Sequence, residues 1–403
     1  MKLPETLRAL RHRNYRLYFS GMLAALAGVW MQQMAMGWLM YRLTDSVFML
    51  GVVAFAWQIP VLLLGPLGGV LADRYDRRGV LLVTQSLGFV VTLVLALLTV
   101  SGRVESWHLV LISILLGVVN AVDTPTRHSI ARYLVDDVAD LSNAISLNGL
   151  LYHFARMSGP AMGGLVLAFS DEATCFFINA AAYAVMLALL ARMRLARLAQ
   201  SGAKAAGGVM AGLRYLAADP LLRSSVLLVM AVSFAVSPYS TVMPYFVRNV
   251  YGGDGSMLGI LGGLSGAGAI ATGIYMLARM NARRLPWLIW RGHLVMGAMV
   301  VVYALSRSLW VGGAALLMLG AMMFIVTTGS NTVIQAHVRE DMRGRVMAFY
   351  SMALVGMQPL GHFSAGAMGE RIGTEIWLAG CGVLSMLCSL AYRRAIRNLP
   401  REA

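Results

Sequence analysis

Long apolar stretches alternate with short polar connections along almost the whole chain. A helix that crosses a hydrocarbon core of ~30 Å needs ~20 mostly apolar residues. Only helices and closed barrels satisfy every backbone polar group inside lipid, and these stretches lack the two-residue alternation of barrel strands. The pattern predicts an all-α membrane protein with twelve transmembrane helices, at roughly 17–41, 48–71, 80–100, 107–127, 142–168, 173–192, 221–247, 254–279, 286–306, 309–330, 345–368 and 373–392.

The longest polar connection divides the predicted helices into two sets of six. Pro160 in the fifth helix has a counterpart in Pro359 of the eleventh, which indicates distant repeats. Repeated six-helix units are a common build of secondary transporters. We therefore expect two six-helix bundles related by a pseudo-two-fold axis. The expected organisation is an N-terminal bundle at 1–192, a cytoplasmic linker at 193–220 and a C-terminal bundle at 221–403.

Composition supports a bilayer as the solvent. Of the 403 residues, 59% are hydrophobic and 13% charged, with a mean hydropathy of +0.70, whereas an ordinary soluble domain carries ~25% charged residues. The net charge of +15 could indicate a nucleic-acid partner. However, most basic residues fall on the connections of one side, which predicts that this side and both termini are cytoplasmic. The charge then needs no nucleic acid.

The sequence lacks the residue patterns of several classes of site, namely disulfides, metal sites, ATP-binding loops and catalytic sets. The three cysteines form no CxxC pair, so we expect neither a disulfide nor a metal site. No P-loop is present, which argues against ATP as the energy source. No nucleophile and base, and no metal-ligand set, stand at catalytic spacing. The sequence therefore predicts a protein that is not an enzyme, has no cofactor and does not draw its energy from ATP.

Several motifs resemble those of a known family. The segment GVLADRYDRR at 69–78 resembles the loop signature of the major facilitator superfamily, with Asp76 where glycine is usual. GPAMGG at 159–164 resembles the fifth-helix signature of its proton-coupled antiporters. RNYRLYF at 13–19, YRLT at 41–44, DTPTR at 123–127 and RGRV at 343–346 look like the branch of the enterobactin exporter and macrolide efflux proteins.

The resemblance implies a gate at the charged loop. In this superfamily the loop aspartate lies at the start of the eleventh helix when the carrier faces outward. Here Asp73 would meet that helix beside Arg345, and Arg74 would pair with Asp123 near the cytoplasmic end of the fourth helix. A solvated loop that only sets topology is the alternative. We call the predicted set the latch: Gly69, Asp73, Arg74, Arg77, Arg78, Asp123, Arg127 and Arg345.

Asp123 is also the candidate for proton coupling. It is the acid that we place inside a span, where a charge costs ~2.5–3.5 kcal/mol and needs a partner. Arg127 follows four residues later on the same helix face, and Arg156 comes from the next helix. Asp123 could take up and release the coupling proton, or it could form a structural ion pair. Arg156 could instead meet an anionic substrate.

The fifth helix carries small residues four apart, Gly159, Gly163 and Gly164 with Pro160. Such spacing lets helix backbones approach closely, and proline bends a helix. Tight packing here could keep the central cavity from leaking protons. Ordinary helix packing is the alternative.

The fold implied by the resemblance lines its cavity with the first, fourth, seventh and tenth helices. Amides, aromatic groups and 28 methionines could bind a bulky amphipathic ligand there. Interhelical hydrogen bonding is the alternative for each polar group. The cavity candidates are Trp30, Gln32, Gln33, Asn120, Arg156, Tyr239, Tyr245, Asn331, Gln335 and Gln358.

Together these features predict a secondary active exporter of a small amphipathic compound, either a drug or a siderophore-like metabolite. It would work by proton antiport and alternating access, as a monomer in a bacterial-type inner membrane. A lysophospholipid or lipid transporter without proton coupling is one alternative. A non-transporting receptor or scaffold is another.

Overall fold

The structure is a computed structural model that describes residues 5–193, 209–279 and 284–397. Within these ranges the chain is helical, without a β-strand. The first six long helices are α1 Arg13–Thr44, α2 Val47–Arg74, α3 Arg77–Val100, α4 Ser106–Leu134, α5 Leu141–Phe169 and α6 Glu172–Arg192. The remaining helices are α7 Val209–Ala218, α8 Pro220–Ala231, α9 Tyr239–Tyr245, α10 Gly255–Arg279, α11 Leu285–Leu305, α12 Leu309–His337, α13 Arg343–Gly356, α14 Gln358–Ile372 and α15 Thr374–Ala395.

Side-chain caps begin several of these helices. Asp76, the residue that departs from the family's loop pattern, accepts a hydrogen bond from the Gly79 backbone N–H at 2.8 Å and so caps α3. Asp171 caps α6 in the same way through the N–H of Thr174. Such caps satisfy backbone donors that have no partner within the helix. These two aspartates therefore fix where α3 and α6 begin.

Nine helical segments among the described residues are long and apolar enough to cross a membrane. They correspond to nine of the twelve predicted stretches. The other three stretches, 17–41, 142–168 and 345–368, form α1, α5 and the pair α13 and α14. Helices α1 and α5 contain polar residues that lower their mean hydropathy. Helices α13 and α14 have 14 and 15 residues, and each is shorter than the ~20 residues that a span needs. Twelve spans and cytoplasmic termini remain predictions.

Two predicted stretches are less regular than expected. Residues 221–247 form α8 and α9 joined by a π-helical turn at Val232–Val236, and a second π-helical turn follows at Phe246–Val250. Residues 345–368 divide at Met357, two residues before Pro359. A proline lacks the N–H that would continue the helical bonding, so α13 ends there. By contrast, α5 continues through Pro160.

The chain forms two compact units. The first comprises Met1–Asp45, Ala56–Gly202 and Gly255–Gly259. In it, α1 packs against α5 and α6, and α3 packs against α4 and α6. The core at one end contains Tyr15, Tyr18, Leu81, Leu134 and Leu190, among other buried residues. Helices α1, α3, α4 and α6 therefore surround a common interior.

The second unit comprises Ser46–Phe55, Ala203–Asp254 and Ile260–Ala403. In it, α11 packs against α12 and α15, and α8 packs against α12, α13 and α15. Its core includes Leu222, Val229, Ile334 and Tyr350. The predicted linker contains the helix α7, which packs on α8 and α13.

Candidate proton-coupling site and gate loop

The first unit buries a carboxylate at a hydrogen-bonded centre. Asp123 of α4 is 1% exposed. Its Oδ1 accepts hydrogen bonds from the Thr84 hydroxyl at 2.7 Å and from the Gln85 side-chain amide at 2.8 Å. Arg127, one turn further along α4, is ion-paired with Oδ2. An ionised carboxylate with an arginine and two further donors satisfies the requirement that a buried charge be paired.

The helices around this ion pair bury it almost completely. Tyr18 of α1 and Tyr183 of α6 are both buried and interact electrostatically with Asp123 and Arg127. The Arg127 side chain is 15% exposed. Four helices therefore enclose the pair, and any change in its charge acts on all four.

Thr84 and Gln85 were not among the residues singled out from the sequence. Both are buried in the apolar stretch that forms α3. The available signal was two adjacent hydrogen-bonding side chains within that stretch. Helical geometry puts neighbours about 100° apart, so both reach the same partner only because α4 packs against this side of α3.

A second buried polar centre lies around Gln32 of α1. The Gln32 carbonyl oxygen accepts hydrogen bonds from the Thr92 hydroxyl of α3, at 3.1 Å, and from the Asn179 amide of α6. Gln32 is 1% exposed. The structure thus shows the interhelical hydrogen bonding that the sequence left open for this residue. Its neighbour Gln33 is half-buried, and a part of either in substrate binding remains a prediction.

The charged loop between α2 and α3 is anchored within the first unit. Arg78 donates through Nε and Nη2 to the backbone carbonyls of Leu190 and Ala191 at the end of α6, each at 2.8 Å. The Arg77 guanidinium lies 4.5 Å from the centre of the Tyr133 ring at the end of α4. Two of the predicted latch arginines therefore hold the loop to α4 and α6.

Asp73, the predicted centre of the latch, is 81% exposed, and its Oδ1 lies 3.6 Å from Arg77. Arg345, in the second unit, donates to the Met342 sulfur at 3.3 Å. Asp123 has Thr84, Gln85 and Arg127 as its described partners. Pairing of Asp73 with Arg345, and of Arg74 with Asp123, remains a prediction.

Two adjacent glycines near this loop differ in their surroundings. A β-carbon on Gly68 would overlap the backbone carbonyl of Ala121 in α4, whereas a β-carbon on Gly69 would meet nothing within 4 Å. Sequence reasoning selected Gly69 by its place in the motif and missed Gly68. The close approach of α2 to α4 therefore depends on Gly68, which faces Ala121, two residues before Asp123 in α4.

The glycine motif of α5 lies against two other helices. β-Carbons on Gly159 and Gly163 would overlap Trp30 and Met34 of α1. A β-carbon on Gly164 would overlap the backbone of Gly259 at the start of α10. The backbone carbonyl of Pro160 also borders Gly259. Small residues at this spacing therefore allow α5 to approach both helices closely.

Arg156 of α5 forms a cluster with aromatic side chains. Its guanidinium lies 5.4 Å from the centre of the Trp30 ring, within the range of a cation–π interaction. Trp30 in turn makes an edge contact with Tyr152 at 6.0 Å between ring centres. Arg156 and Trp30 are half-buried, and Tyr152 is exposed. The cluster offers a positive charge and aromatic faces side by side.

The remaining cavity candidates have local partners. The Tyr239 hydroxyl hydrogen-bonds to the Ser265 hydroxyl at 2.8 Å, and the Tyr245 hydroxyl donates to Glu375 at 2.8 Å. The other pairs are Asn120 with Thr124, Asn331 with Gln335, and Gln358 with the Leu354 carbonyl. These contacts fix side-chain positions, and their role in binding a substrate remains a prediction.

Among the residues that the structure describes, no group of three or more His, Cys, Asp or Glu side chains could hold a metal ion.

Comparisons with known proteins give one consistent class. Residues 5–402 match a family model described as transmembrane secretion effector. A staphyloferrin A transporter of Staphylococcus aureus is 24% identical over 399 residues, which cover 95% of this chain and 96% of that protein. The multidrug efflux pump Tap of Mycolicibacterium fortuitum is 23% identical and covers 87% and 88%. Macrolide efflux protein A of Streptococcus pyogenes is 18% identical and covers 93% and 95%.

Solved structures resemble the fold over nearly its whole length. A bacterial homologue of the human lysosomal transporter Spinster matches with a TM-score of 0.74 at 15% identity, covering 99% of this chain and 98% of that one. The nucleoside transporter NupG matches with a TM-score of 0.70 at 14% identity, covering 96% and 98%. At these identities the likeness shows the fold alone.

Proposed function

Because the chain belongs to the transmembrane secretion effector family of major facilitator transporters, we propose that it is a secondary active exporter of a small amphipathic compound, driven by proton antiport. The family makes it a membrane transporter and not an enzyme. The relatives named for staphyloferrin A, macrolides and multiple drugs support a siderophore-like or drug-like substrate. The membrane would be the inner membrane of a bacterium.

The buried pair of Asp123 and Arg127 is the observation that carries proton coupling. When a proton binds Oδ2, the carboxylate becomes neutral and Arg127 loses its counter-charge. Leaving one buried charge unpaired costs ~3–5 kcal/mol. Moving a two-state equilibrium from 1:99 to 99:1 needs ~5.5 kcal/mol. Protonation of this one group therefore has the scale needed to bias a conformational change.

Thr84 and Gln85 determine which oxygen of Asp123 is free to accept the proton. They hold Oδ1, so that the proton enters at Oδ2 and displaces Arg127 rather than the donors from α3. The pair lies against α1, α3, α4 and α6, and displacement of Arg127 would alter the packing of these helices. In the opposite conformation of the transport cycle, Arg127 would return to the carboxylate and the proton would leave.

The cluster around Arg156 supports an amphipathic substrate with acidic groups. A half-buried guanidinium binds a carboxylate through charge-assisted hydrogen bonds. Trp30 and Tyr152 present aromatic faces to an apolar or aromatic part of the ligand. Arg156→Gln should therefore raise the KM for an acidic substrate more than that for a neutral one.

The latch is the proposed gate. Arg77 and Arg78 hold the loop in place, and Asp73 is exposed and available to a helix N-terminus, where a carboxylate is favoured by ~0.3–1 kcal/mol. Asp73→Asn should impair transport without reducing insertion or thermal stability. Asp137→Asn, another exposed acid of the first unit, is the matched control. Normal transport by well-expressed Asp73→Asn protein would reject the latch.

The experiment is a substrate-dependent pH change in proteoliposomes that contain the purified protein. The panel is staphyloferrin A, macrolides, dyes, catecholate siderophores and lysolipids. We expect at least one compound to move protons against its own flux. Transport of lysolipid without any pH change would favour the lipid carrier instead. Binding without transport of any compound would favour a receptor.

A further inference from the structure

A groove in the second unit lies between the beginning of α8 and the end of α15. Its volume is about 540 Å³, within the ~300–1,000 Å³ typical of small-ligand sites. Arg223 and Arg394 line it, together with Leu227, Cys388 and Ala391. The two helices pack against each other and run in opposite directions at this point, since α8 begins where α15 ends.

Both walls change from charged to apolar in the same direction. On α8, Leu227 lies one turn beyond Arg223, about 6 Å deeper along the helix axis. On α15, Ala391 and Cys388 lie one and two turns before Arg394. Positive charge therefore lies at the end of the groove where α8 begins and α15 ends. Apolar surface lies one to two helical turns away from that end. An anionic headgroup attached to an acyl chain has the same order of charge and apolar surface.

Among the described residues, the two arginines of this groove have no acidic partner. Within residues 5–193, 209–279 and 284–397, neither Arg223 nor Arg394 is ion-paired with an acidic side chain; Arg223 donates to the carbonyl of Ala217 at 3.2 Å. The nearby Asp219 is engaged by the backbone of α8 and by His337. Both guanidiniums are exposed and retain donors for a phosphate.

We infer that this groove binds one anionic phospholipid of the bilayer, with the phosphate on Arg223 and Arg394 and an acyl chain along Leu227, Ala391 and Cys388. Leu227 is 54% exposed on an apolar helix face, so the groove opens where lipid tails would lie. Basic pockets between membrane helices bind anionic headgroups by this chemistry. The site is separate from Asp123 and does not depend on the proposed transport reaction.

The test is native mass spectrometry of the full-length protein after reconstitution in equal amounts of phosphatidylglycerol and phosphatidylcholine. The wild-type protein should retain one phosphatidylglycerol in preference to phosphatidylcholine. Arg223→Gln and Arg394→Gln should each lower that retention about fivefold, the effect of losing one basic residue near an anionic headgroup. Equal retention of the two lipids by the wild type would overturn the inference.

Two further variants separate a built site from general attraction to a basic surface. Arg393→Gln removes the same charge one residue away, but Arg393 lies on the Trp290 ring at 4.8 Å and does not line the groove. It should retain the lipid as the wild type does. Ala391→Trp keeps every charge and fills the apolar end, so it should displace the lipid. A loss with Arg393→Gln equal to that with Arg394→Gln, or unchanged retention with Ala391→Trp, would contradict the site.

Discussion

The Thr84 hydroxyl donates a 2.7 Å hydrogen bond to the Asp123 carboxylate, so α3 holds one oxygen of the group while Arg127 of α4 holds the other. The carboxylate therefore joins two helices through two different kinds of contact. One is a neutral donor that remains after protonation. The other is an ion pair that protonation removes.

Replacing Thr84 by valine should change the pH dependence of transport. Thr84→Val keeps the shape of the side chain and removes a hydrogen bond to a charged group, worth about 1.5–3 kcal/mol. The carboxylate loses one of the two donors that hold Oδ1, so the contact between α3 and α4 weakens and the pH profile of transport should change. Thr92→Val, on the same helix and bonded to Gln32 instead, is the control and should leave the profile unchanged. Equal profiles in all three proteins would contradict the role of Thr84.

Removing one member of the Asp123–Arg127 pair should destabilise the protein more than removing both. Arg127→Met leaves a buried carboxylate without its counter-charge, at a cost of about 3–5 kcal/mol. The double variant Asp123→Asn/Arg127→Met leaves no buried charge, so part of this stability should return. Thermal unfolding in detergent measures the coupling as a double-mutant cycle. Additive losses would show that the two residues do not act as a pair.

Gly68 and Gly69 should respond differently to the same substitution. Gly68→Ala places a β-carbon against the Ala121 backbone and should lower the stability by about 1–3 kcal/mol, the usual cost of overpacking. Gly69→Ala meets open space and should leave stability equal or raise it, since alanine favours a helix by up to about 1 kcal/mol over glycine. Thermal unfolding of the two variants compares them directly. A larger loss at Gly69 would contradict the packing of α2 on α4.

The segment before α1 should dock in a pH-dependent way. His12 contacts Asp136 through Nδ1 at 3.0 Å and Asp140 through Nε2 at 2.9 Å, while Arg8 is ion-paired with Asp140 at 2.9 Å. Burial lowers the pKa of His12, but hydrogen bonds with the two carboxylates and their charges outweigh it and raise the pKa above its ordinary value near 6.5. The imidazolium therefore stabilises docking fully below pH 6.5, and this stabilisation is lost as pH rises through the raised pKa.

Hydrogen exchange of residues 5–11 tests this dependence. After correction for intrinsic rates, the wild-type protection should be greater at pH 5.5 than at pH 8.5. His12→Asn cannot titrate, so its protection should be the same at both values, with the ion pair of Arg8 and Asp140 still present. An identical pH response in the variant and the wild type would contradict the role of His12.

The sequence was sufficient for the class of fold and for Asp123, one of the two carboxylates that are buried among the described residues. Asp123 stood out because a charge inside an apolar helix is costly, and its arginine was visible four residues later. Thr84 and Gln85 could not be identified, because their role depends on the angle at which α3 packs against α4. Gln32 showed the limit of the polarity signal, since a polar residue in a span looks the same whether it faces a ligand or another helix.

The family motifs indicated which positions matter, but they did not predict what those residues contact. The resemblance selected Gly69, but the close helix approach is at Gly68, since which glycine faces α4 depends on the rotation of α2. Asp76 counted as a departure from the pattern, and the structure gives it the N-cap of α3. Arg78 was assigned to the latch, and it caps the end of α6. These roles follow from packing that hydropathy does not encode.

The most direct measurement compares uphill transport with exchange in proteoliposomes that contain Asp123→Asn. The account predicts that this variant still exchanges labelled for unlabelled substrate across the membrane but no longer accumulates it against a gradient when a pH difference is applied. Glu172→Gln, which neutralises another buried carboxylate paired with an arginine, Arg42, is the matched control and should retain both activities. Full accumulation driven by a pH difference in a well-folded Asp123→Asn protein would contradict the assignment of Asp123 as the proton-coupling residue.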